Sequence, residues 1–303
     1  MNSRHSLWMM EPLALAELES RLRLLAAGEA KQVAAPREAA RTSGNVVAVI
    51  PIVGVMEQRL SIWSDYYGGT STDGIAKVFS AAVSDASVKA IMLDISSPGG
   101  EVYGVPELAR RIYDARGTKP IVAVANSMAA SAAYYVGVAA DRLYVTPSGD
   151  VGSVGVYQMH VDYSKALEAE GVAVSFIKAP AHKAEGNPYE PLSDEAREYL
   201  QGEVNELYEM FVADVAKYRG TKASAVKANF GEGRTLSARK AVAAGMADGV
   251  ATFDQVAAKL LAGHIKTTGP AASDDWESPI VADDEAAVRH RKAKIAVAVR
   301  NRG

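Results

Sequence analysis

From residue 46 onward the chain alternates short apolar segments with longer segments of helical periodicity. The apolar segments have the length of buried strands and lie at 46–54, 89–95, 120–126 and 142–146. Helices are predicted between them, near 73–86, 105–116 and 131–140. This alternation predicts an α/β fold with a mostly parallel sheet, because parallel strands are joined by crossover helices that pack against the sheet.

The later part of the chain is predicted to be mainly helical. The pattern indicates a helix near 162–170, a strand at 172–179, a long helix from about Ser193 to Tyr218, a short helical segment at 237–246 and a last helix at 253–262. Ser193 is followed by acidic residues, which is typical of a helix start. The serine can cap free N–H groups, and the acidic residues favour the positive end of the helix dipole.

Composition divides the chain into three predicted parts. Residues 12–27 space leucines along one helical face and are followed by a polar, alanine-rich stretch, so residues 1–45 are predicted to be an N-terminal helical appendage with a tether. Residues 46–262 are predicted to form the central α/β domain. Beyond Gly269 the chain is rich in Gly, Pro, Ser and Asp and then basic, so residues 263–303 are predicted to be a flexible tail.

Bulk composition excludes several kinds of chemistry. The chain has no cysteine, which removes disulfides, thiolate zinc sites and cysteine nucleophiles, so covalent catalysis requires an oxygen or nitrogen nucleophile. A net charge of -3 gives no general attraction to phosphate, and no nucleic-acid partner is expected. The apolar run at 46–56 contains Pro51 and Gly54 and is too short to span a bilayer, so a cytoplasmic chain without a membrane anchor is expected.

Two adjacent glycines, Gly99 and Gly100, end the sequence SSPGG that follows the apolar segment KAIMLDI. Glycine tolerates positive φ and the close approach of another backbone, so free N–H groups there can point at a ligand oxygen. The same five residues also suit an ordinary turn between a strand and a helix. Taken alone, the motif leaves both interpretations open.

Ser131 is the candidate nucleophile. It lies where a short apolar strand runs into a predicted helix, and the alanines around it leave room for a substrate carbonyl. The N–H group of Ala132 can join a glycine N–H in stabilising an oxyanion. A serine at this position can also be simply a helix N-cap, and Ser127, earlier in the turn, is a competing candidate.

A serine nucleophile needs a general base, and the sequence offers histidines and lysines. Of the five histidines, His160 and His182 lie in the predicted central domain. A lysine can do the same work if burial lowers its pKa toward neutrality. Lys183 lies in a loop just after the predicted strand at 172–179, but residue chemistry alone does not select it over Lys178.

Several segments in one order carry a resemblance: SPGG before residue 101, SMAASAAYYVGVAADRLYV around Ser131, GSVGV, IKAPAHKA around Lys183, and GRTLSARKAVAAGMADGV. With them the chain resembles the signal peptide peptidase A family of Ser-Lys peptidases, within the Clp-protease and crotonase-like fold superfamily. The resemblance covers about residues 46–260. It implies a Clp-protease/crotonase-like α/β fold, a mostly parallel sheet with flanking helices.

The resemblance also implies roles for particular residues. The nucleophile falls on Ser131, the lysine base on Lys183, and the oxyanion donors on Gly99, Gly100 and Ala132. No metal and no organic cofactor are implied. In the Clp proteases the base is instead a histidine, and the stretch GDVGSVGVYQ, where it would fall, contains none, which leaves His160 as the nearest substitute.

The function implied by the resemblance is that of a serine endopeptidase that acts on protein or peptide substrates and assembles into a homo-oligomeric ring. Short members of the family that lack an anchor and resemble this chain are often bacteriophage head-maturation proteases, which cut scaffold and capsid proteins inside the assembling prohead, and the resemblance implies that role here. The expected location is then the host cytoplasm or the prohead interior. Three alternatives stay open: a cellular signal-peptide-peptidase-like enzyme that degrades proteins, a crotonase-type acyl-CoA enzyme, and a non-catalytic assembly scaffold.

Overall fold

The computed structural model describes residues 7–10, 14, 46–60, 68–265 and 295–297. The strands are β1 (Leu7–Met10), β2 (Val46–Val53), β3 (Val55–Glu57), β4 (Gly69–Ser71), β5 (Val88–Ser97), β6 (Gly99–Glu101), β7 (Ile121–Ala130), β8 (Arg142–Val145), β9 (Asp150–Gly152), β10 (Tyr157–Gln158), β11 (Thr235–Ser237), β12 (Gly249–Val250) and β13 (Ile295–Val297). The α-helices are α1 (Thr72–Ser84), α2 (Val105–Asp114), α3 (Ala132–Val138), α4 (Ser164–Ala169), α5 (Asp194–Tyr218), α6 (Ala223–Asn229), α7 (Ala238–Ala243) and α8 (Phe253–Leu261). The chain forms two compact units, a smaller one from residues within 1–8 and 156–210 and a larger one from residues within 9–155 and 211–303.

Eight of the described strands of the larger unit form one sheet. Six of them follow the order β11-β9-β7-β5-β2-β13, and β8 pairs with β7 and with β12. The pairs β2–β5, β5–β7, β7–β8 and β7–β9 are parallel, whereas β11 pairs with β9 in antiparallel orientation. The predicted α/β fold with a mostly parallel sheet and flanking helices is therefore confirmed.

Helices cover both faces of this sheet, because its central strands are apolar on both faces. Helix α8 packs Val256 and Leu260 against the face that carries Met92. Helix α3 lies on the opposite face, where an added Cβ on Gly137 would lie 3.1 Å from Ile95. Met92 and Ile95 are three positions apart in β5, so their side chains point to opposite faces of the sheet, and the strand is buried on both faces.

Short strands in the larger unit carry the glycine turn. Strand β3 pairs in parallel with β4, and Met56 of β3 pairs with Gly100 of β6. Only Pro98 separates β6 from the end of β5, so the chain leaves the main sheet and turns at once. The glycine motif therefore lies at the carboxyl end of a parallel strand, which is where α/β folds bind their ligands.

In the smaller unit, Leu7 and Trp8 pair in antiparallel orientation with Gln158 and Tyr157. Helix α4 and a 3-10 turn at Ala181–Ala184 precede α5. The segment 172–179, which the sequence predicts to be a strand, is in neither a strand nor a helix. That prediction is wrong for the single chain, because a β-strand needs a paired backbone and no described strand pairs with this segment.

Both ends of the chain differ from the prediction where the structure describes them. Residues 7–10, assigned to the N-terminal appendage, form β1, because their apolar side chains are almost all buried. Of the helix predicted at 12–27, residue 14 is helical and the other positions lie outside the described residues. Residues 295–297, assigned to the flexible tail, form β13 beside β2. Within the described ranges, no helix is both long enough and apolar enough to cross a membrane.

Candidate active site

Ser131 occupies a strained turn between β7 and α3. Its φ of 53° and ψ of -116° lie in a region that residues other than glycine rarely adopt. Two backbone hydrogen bonds hold the turn: the Ser131 N–H donates to the Gly152 carbonyl at 2.7 Å, and the Ser131 carbonyl accepts from the Tyr135 N–H at 2.9 Å. Backbone strain persists only where the surroundings enforce it, and it is concentrated at functional sites.

The geometry argues against Ser131 being an ordinary N-cap. A capping serine has extended backbone angles, and its hydroxyl accepts a hydrogen bond from an N–H two or three residues later. Ser131 has a positive φ and makes no such bond. Its Oγ donates instead to the Gly155 carbonyl at 3.5 Å, a long hydrogen bond, and the residue is only 1% exposed. The turn therefore serves something other than helix capping.

The glycine turn lies directly against Ser131. Gly99 has a φ of 97°, which strongly favours glycine. An added Cβ at this position would lie 2.2 Å from the Met9 carbonyl oxygen, 2.9 Å from the Ala130 carbonyl oxygen and 3.0 Å from the Ala132 nitrogen. The structure therefore places two of the predicted oxyanion-hole residues, Gly99 and Ala132, next to each other at the Ser131 turn.

Gly100 and Ser97 fix the glycine turn from its two sides. An added Cβ on Gly100 would lie 1.8 Å from the Met56 carbonyl oxygen, so only glycine fits there. The buried Ser97 donates from its Oγ to the Gly54 carbonyl at 2.7 Å and accepts from the Gly99 N–H at 3.2 Å. Sequence reasoning missed Ser97. The SPGG motif contains it, but nothing in the motif shows that its side chain joins two distant backbone segments.

The N–H groups at the nucleophile turn have different roles. The Ser131 N–H is already bonded to the Gly152 carbonyl. Ala132 is the first residue of α3, and the first N–H groups of a helix have no acceptor within the helix. The Ala132 N–H is therefore the donor that this turn can offer to a substrate oxygen.

Helix α3 is anchored by two tyrosine hydroxyls. Tyr134 donates to the Met246 carbonyl at 2.9 Å, and Tyr135 donates to the Asp214 carboxylate at 2.5 Å. The Tyr135 ring also stacks on Phe211 with ring centroids 4.5 Å apart. Burial, followed by the hydrogen bond to Asp214, raises the pKa of Tyr135, so its hydroxyl stays a donor. These contacts give the Ser131 turn a rigid support.

Arg116 caps the other end of α3. Its guanidinium donates to the carbonyls of Val138, Ala139 and Ala140 at 2.7, 2.9 and 2.6 Å. These carbonyls need such a donor because the helix ends there and supplies no further N–H groups. The sequence did not predict that Arg116 and Tyr135 support this helix, because nothing in their neighbouring residues distinguishes them from ordinary polar residues of a helix or turn.

Ser127, the competing nucleophile, lies within β7. It is exposed, and its Oγ shares a 2.6 Å hydrogen bond with the Oγ of Ser96. Its φ is not positive, and none of the three atoms nearest to an added Cβ on Gly99 belongs to it. Of the two serines, Ser131 is the one in the strained turn.

The candidate lysine bases belong to the smaller unit, whereas Ser131 belongs to the larger one. Lys183 lies on the 3-10 turn Ala181–Ala184, and both Lys183 and Lys178 are exposed. Within the larger unit, the described partner of the Ser131 Oγ is a backbone carbonyl and not a base. The pairing of Ser131 with Lys183 therefore stays a prediction.

The two candidate histidines also lie in the smaller unit. His160 is half-buried, and its two ring nitrogens have no hydrogen-bond partner among the described residues. His182 is exposed and forms a short hydrogen bond with Glu185, which raises the pKa of His182. His182, Glu185 and Glu195 could each offer one ligand atom within 4.8 Å of the others. His182 and Glu195 are exposed, and exposed groups of this kind commonly lie close together without an ion, so no metal site is inferred.

Comparison with known proteins gives matches in sequence and in structure. The model of "Peptidase family S49" matches residues 114–265. Capsid assembly protease C of Escherichia phage lambda is 37% identical over 204 residues, which cover 67% of this chain and 46% of that protein. Head-tail preconnector protein GP5 of Enterobacteria phage P21 is 36% identical over 204 residues, 67% of this chain and 40% of that protein.

The chain thus spans less than half the length of these two phage proteins. Among solved structures, a ClpP1 mutant from Listeria monocytogenes aligns with a TM-score of 0.41 at 15% identity, covering 67% of this chain and 91% of the ClpP1 chain.

Proposed function

The chain belongs to peptidase family S49, and from this membership we propose that it is a serine endopeptidase with Ser131 as nucleophile and Lys183 as general base. The observation that carries the proposal is the strained backbone of Ser131 beside the Gly99 turn. A helix cap does not need that strain. A hydroxyl that must attack a carbonyl next to a group of N–H donors does need a fixed and unusual position.

The first chemical step forms a tetrahedral intermediate on Ser131. The neutral amine of Lys183 accepts the proton of the Ser131 hydroxyl, and the Ser131 oxygen bonds to the carbonyl carbon of the substrate peptide. The carbonyl oxygen becomes an oxyanion, which accepts hydrogen bonds from the N–H groups of Ala132 and Gly100, while the Gly99 N–H stays bonded to the Ser97 hydroxyl. The loss of one such donor raises the barrier by about 2.7–4 kcal/mol.

The second step releases the two products. The C–N bond breaks, and the ammonium group of Lys183 gives its proton to the departing amine. Water then attacks the ester carbon while Lys183 accepts a proton from it. The ester bond breaks, the Ser131 hydroxyl is restored, and the acyl half of the substrate leaves as a carboxylic acid.

A lysine base has to be neutral before it can accept the serine proton, and burial is what favours the neutral form. Lys183 is exposed in the single chain. We infer that desolvation comes with the bound substrate or from a neighbouring copy, in the ring-like homo-oligomer that the family resemblance implies.

The phage relatives suggest the class of substrate. Their names describe a capsid assembly protease and a head-tail preconnector protein. We propose that the substrates here are proteins of an assembling phage head, such as scaffold and capsid proteins. The setting would be the prohead interior or the host cytoplasm.

Intact-mass analysis of the chain incubated with an unfolded protein rich in small residues tests the peptidase proposal. We expect the wild-type chain to cleave this protein and the Ser131→Ala and Lys183→Ala variants to leave it intact. Ser127→Ala and Lys178→Ala are matched controls, because each removes an exposed residue of the same type nearby in the sequence. Both controls should cleave like the wild type.

Three other outcomes would reject the proposal. Cleavage by Ser131→Ala at the wild-type rate would exclude Ser131 as the nucleophile. Equal loss of activity in Lys183→Ala and Lys178→Ala would remove the assignment of the base. Binding of coenzyme A without any cleavage would favour the crotonase-type alternative, whose chemistry does not require Ser131.

A further inference from the structure

Strand β6, which carries the glycine turn, has a neighbouring strand on each of its two edges. The order of strands in their sheet includes the run β1-β6-β3-β4. Met56 of β3 pairs with Gly100 on one edge, and β1 lies on the other. The β1 residues Met9 and Met10 belong to the larger unit, as β6 does. A substrate strand that pairs with the glycine turn must therefore take the place of β1 or of β3.

The backbone of β1 also reaches the atoms of the nucleophile turn. An added Cβ on Gly99 would lie 2.2 Å from the Met9 carbonyl oxygen and 3.0 Å from the Ala132 nitrogen. The Met9 carbonyl is thus a close neighbour of the N–H group assigned to the oxyanion. Met9 and Met10 are almost completely buried. A main-chain carbonyl beside an oxyanion donor is what a bound substrate strand presents to a serine peptidase.

Of the two neighbours of β6, β1 is the one that can leave. Strand β3 is joined to β2 of the main sheet through Gly54 alone, and the Ser97 hydroxyl donates to the Gly54 carbonyl at 2.7 Å. Strand β1 ends at Met10 and β2 begins only at Val46, so no short connection ties β1 to the main sheet. Loss of β1 therefore leaves every strand of the main sheet with its neighbours.

We propose that β1 is an intramolecular pseudosubstrate: it occupies the place of the substrate strand beside β6, and the chain cleaves another protein only after β1 has left. This inference rests on the proposed peptidase function. A segment tethered to its own binding site competes at an effective concentration on the order of millimolar. A more dilute protein substrate therefore finds the site filled until the substrate or an assembly partner displaces β1.

A strand that only completes the core predicts the opposite response to its removal. Loss of a purely structural strand exposes apolar side chains to water, so stability falls and activity falls with it. Loss of a strand that fills the substrate's place raises activity, because the competent state no longer has to be freed first. The sign of the change in kcat/KM therefore separates the two roles. The effect should appear in KM, since β1 competes with the substrate and takes no part in the chemistry.

A disulfide that holds β1 in place tests the occupancy in the intact chain. Leu7 of β1 lies directly opposite Gln158 of β10, and the chain has no cysteine of its own. Directly opposite residues have Cβ atoms about 4.5–5.5 Å apart, which a disulfide bridges after a small shift. We expect oxidised Leu7→Cys/Gln158→Cys to cleave an unfolded protein rich in small residues at least about tenfold more slowly than its reduced form. The two single variants are matched controls, and oxidation should leave their rates unchanged.

Release of β1 tests the proposal in the other direction. Met9→Asp places a charge where the side chain is fully buried, and an unpaired buried charge is costly enough to expel β1. We expect this variant to have a kcat/KM raised at least about threefold, through a lower KM. A labelled peptide of residues 5–12, HSLWMMEP, should bind Met9→Asp/Ser131→Ala at least about tenfold more tightly than Ser131→Ala. Fluorescence anisotropy measures this binding without cleavage, and a scrambled peptide of the same composition is the control.

The outcomes separate this proposal from the peptidase function. Equal cleavage by oxidised and reduced Leu7→Cys/Gln158→Cys would exclude β1 from the substrate's place. If Met9→Asp keeps a cooperative thermal melt but cleaves more slowly and does not bind the peptide, β1 is a purely structural strand and the proposal is wrong. If Met9→Asp does not fold, the disulfide variant decides. Tight peptide binding to the released variant with no cleavage by any chain would support the occupancy and reject the peptidase function.

Discussion

Replacement of Ser131 by glycine measures the strain in the nucleophile turn. The comparison is between Ser131→Gly and Ser131→Ala, since both lack the hydroxyl and differ only in the Cβ atom. At φ 53° and ψ -116° a Cβ atom is disfavoured, and a backbone held in such a region costs about 1–3 kcal/mol. Glycine relieves this cost but loses about 0.5–1 kcal/mol through the entropy of the unfolded chain and about 0.8 kcal/mol through one buried methyl group.

These contributions nearly cancel at position 131 but not at an unstrained position. Ala139 ends the same helix, is fully buried and has an ordinary helical φ of -72°. Ala139→Gly should therefore destabilise the chain by about 1.3–1.8 kcal/mol. The change from alanine to glycine at 131 should lie between about 0.8 kcal/mol destabilising and about 1.7 kcal/mol stabilising, because relief of the strain offsets the same losses. The expected difference between the two positions is about 2 kcal/mol.

Urea unfolding followed by tryptophan fluorescence gives these free energies. All variants should be measured at one protein concentration, because self-association adds to apparent stability. Similar slopes of the unfolding free energy against urea would show that the denatured states are comparable. If the change from alanine to glycine costs as much at 131 as at 139, the turn stores no strain, and the argument that Ser131 is held for chemistry fails.

Two further predictions concern residues near the site and within the sheet. Ser97→Ala should lower kcat/KM at least about tenfold, because the Ser97 hydroxyl bridges the Gly54 carbonyl and the Gly99 N–H. The control is Ser96→Ala, which removes the neighbouring half-buried serine, and unchanged cleavage by Ser97→Ala would contradict the prediction. Burial raises the pKa of Asp94 against the opposing hydrogen bond from Asn126, so the native state binds this proton more readily than the unfolded state. Stability should then fall as the pH rises from the ordinary value of 3.8 through the raised native value, and Asp94→Asn should flatten that part of the profile of urea midpoint against pH. Equal slopes for the two chains would show that Asp94 does not contribute.

The parallel sheet could be predicted because its strands are continuous apolar runs with helices between them. That pattern is local, so it can be recognised without knowing which strands pair with each other. The turn at Ser131 and the glycines at 99 and 100 were found for the same reason, since each is a short motif at the end of an apolar segment. In each case the residues of the motif are adjacent in the sequence, so the motif can be read directly from it.

Other parts of the site depend on contacts that no local pattern reveals. Ser97 bonds to a carbonyl 43 positions away, and Tyr135 bonds to a carboxylate 79 positions away. The strand predicted at 172–179 failed for a related reason. Its composition favours an extended backbone, but a strand forms only where a second backbone is available to pair with it.

The Gly152 carbonyl that accepts the Ser131 N–H belongs to β9, and β9 is aligned with β7 so that Gly152 lies beside Ala130. Gly155, whose carbonyl accepts the Ser131 hydroxyl, follows shortly after in the same segment. A slip of β9 by a single residue would carry the Gly152 carbonyl about 3.3 Å along the strand and break its bond to the turn. If the proposed function is right, such a slip abolishes cleavage while the side chains of Ser131 and Lys183 stay intact. Mutations that abolish cleavage without touching those side chains should accumulate along this pair of strands.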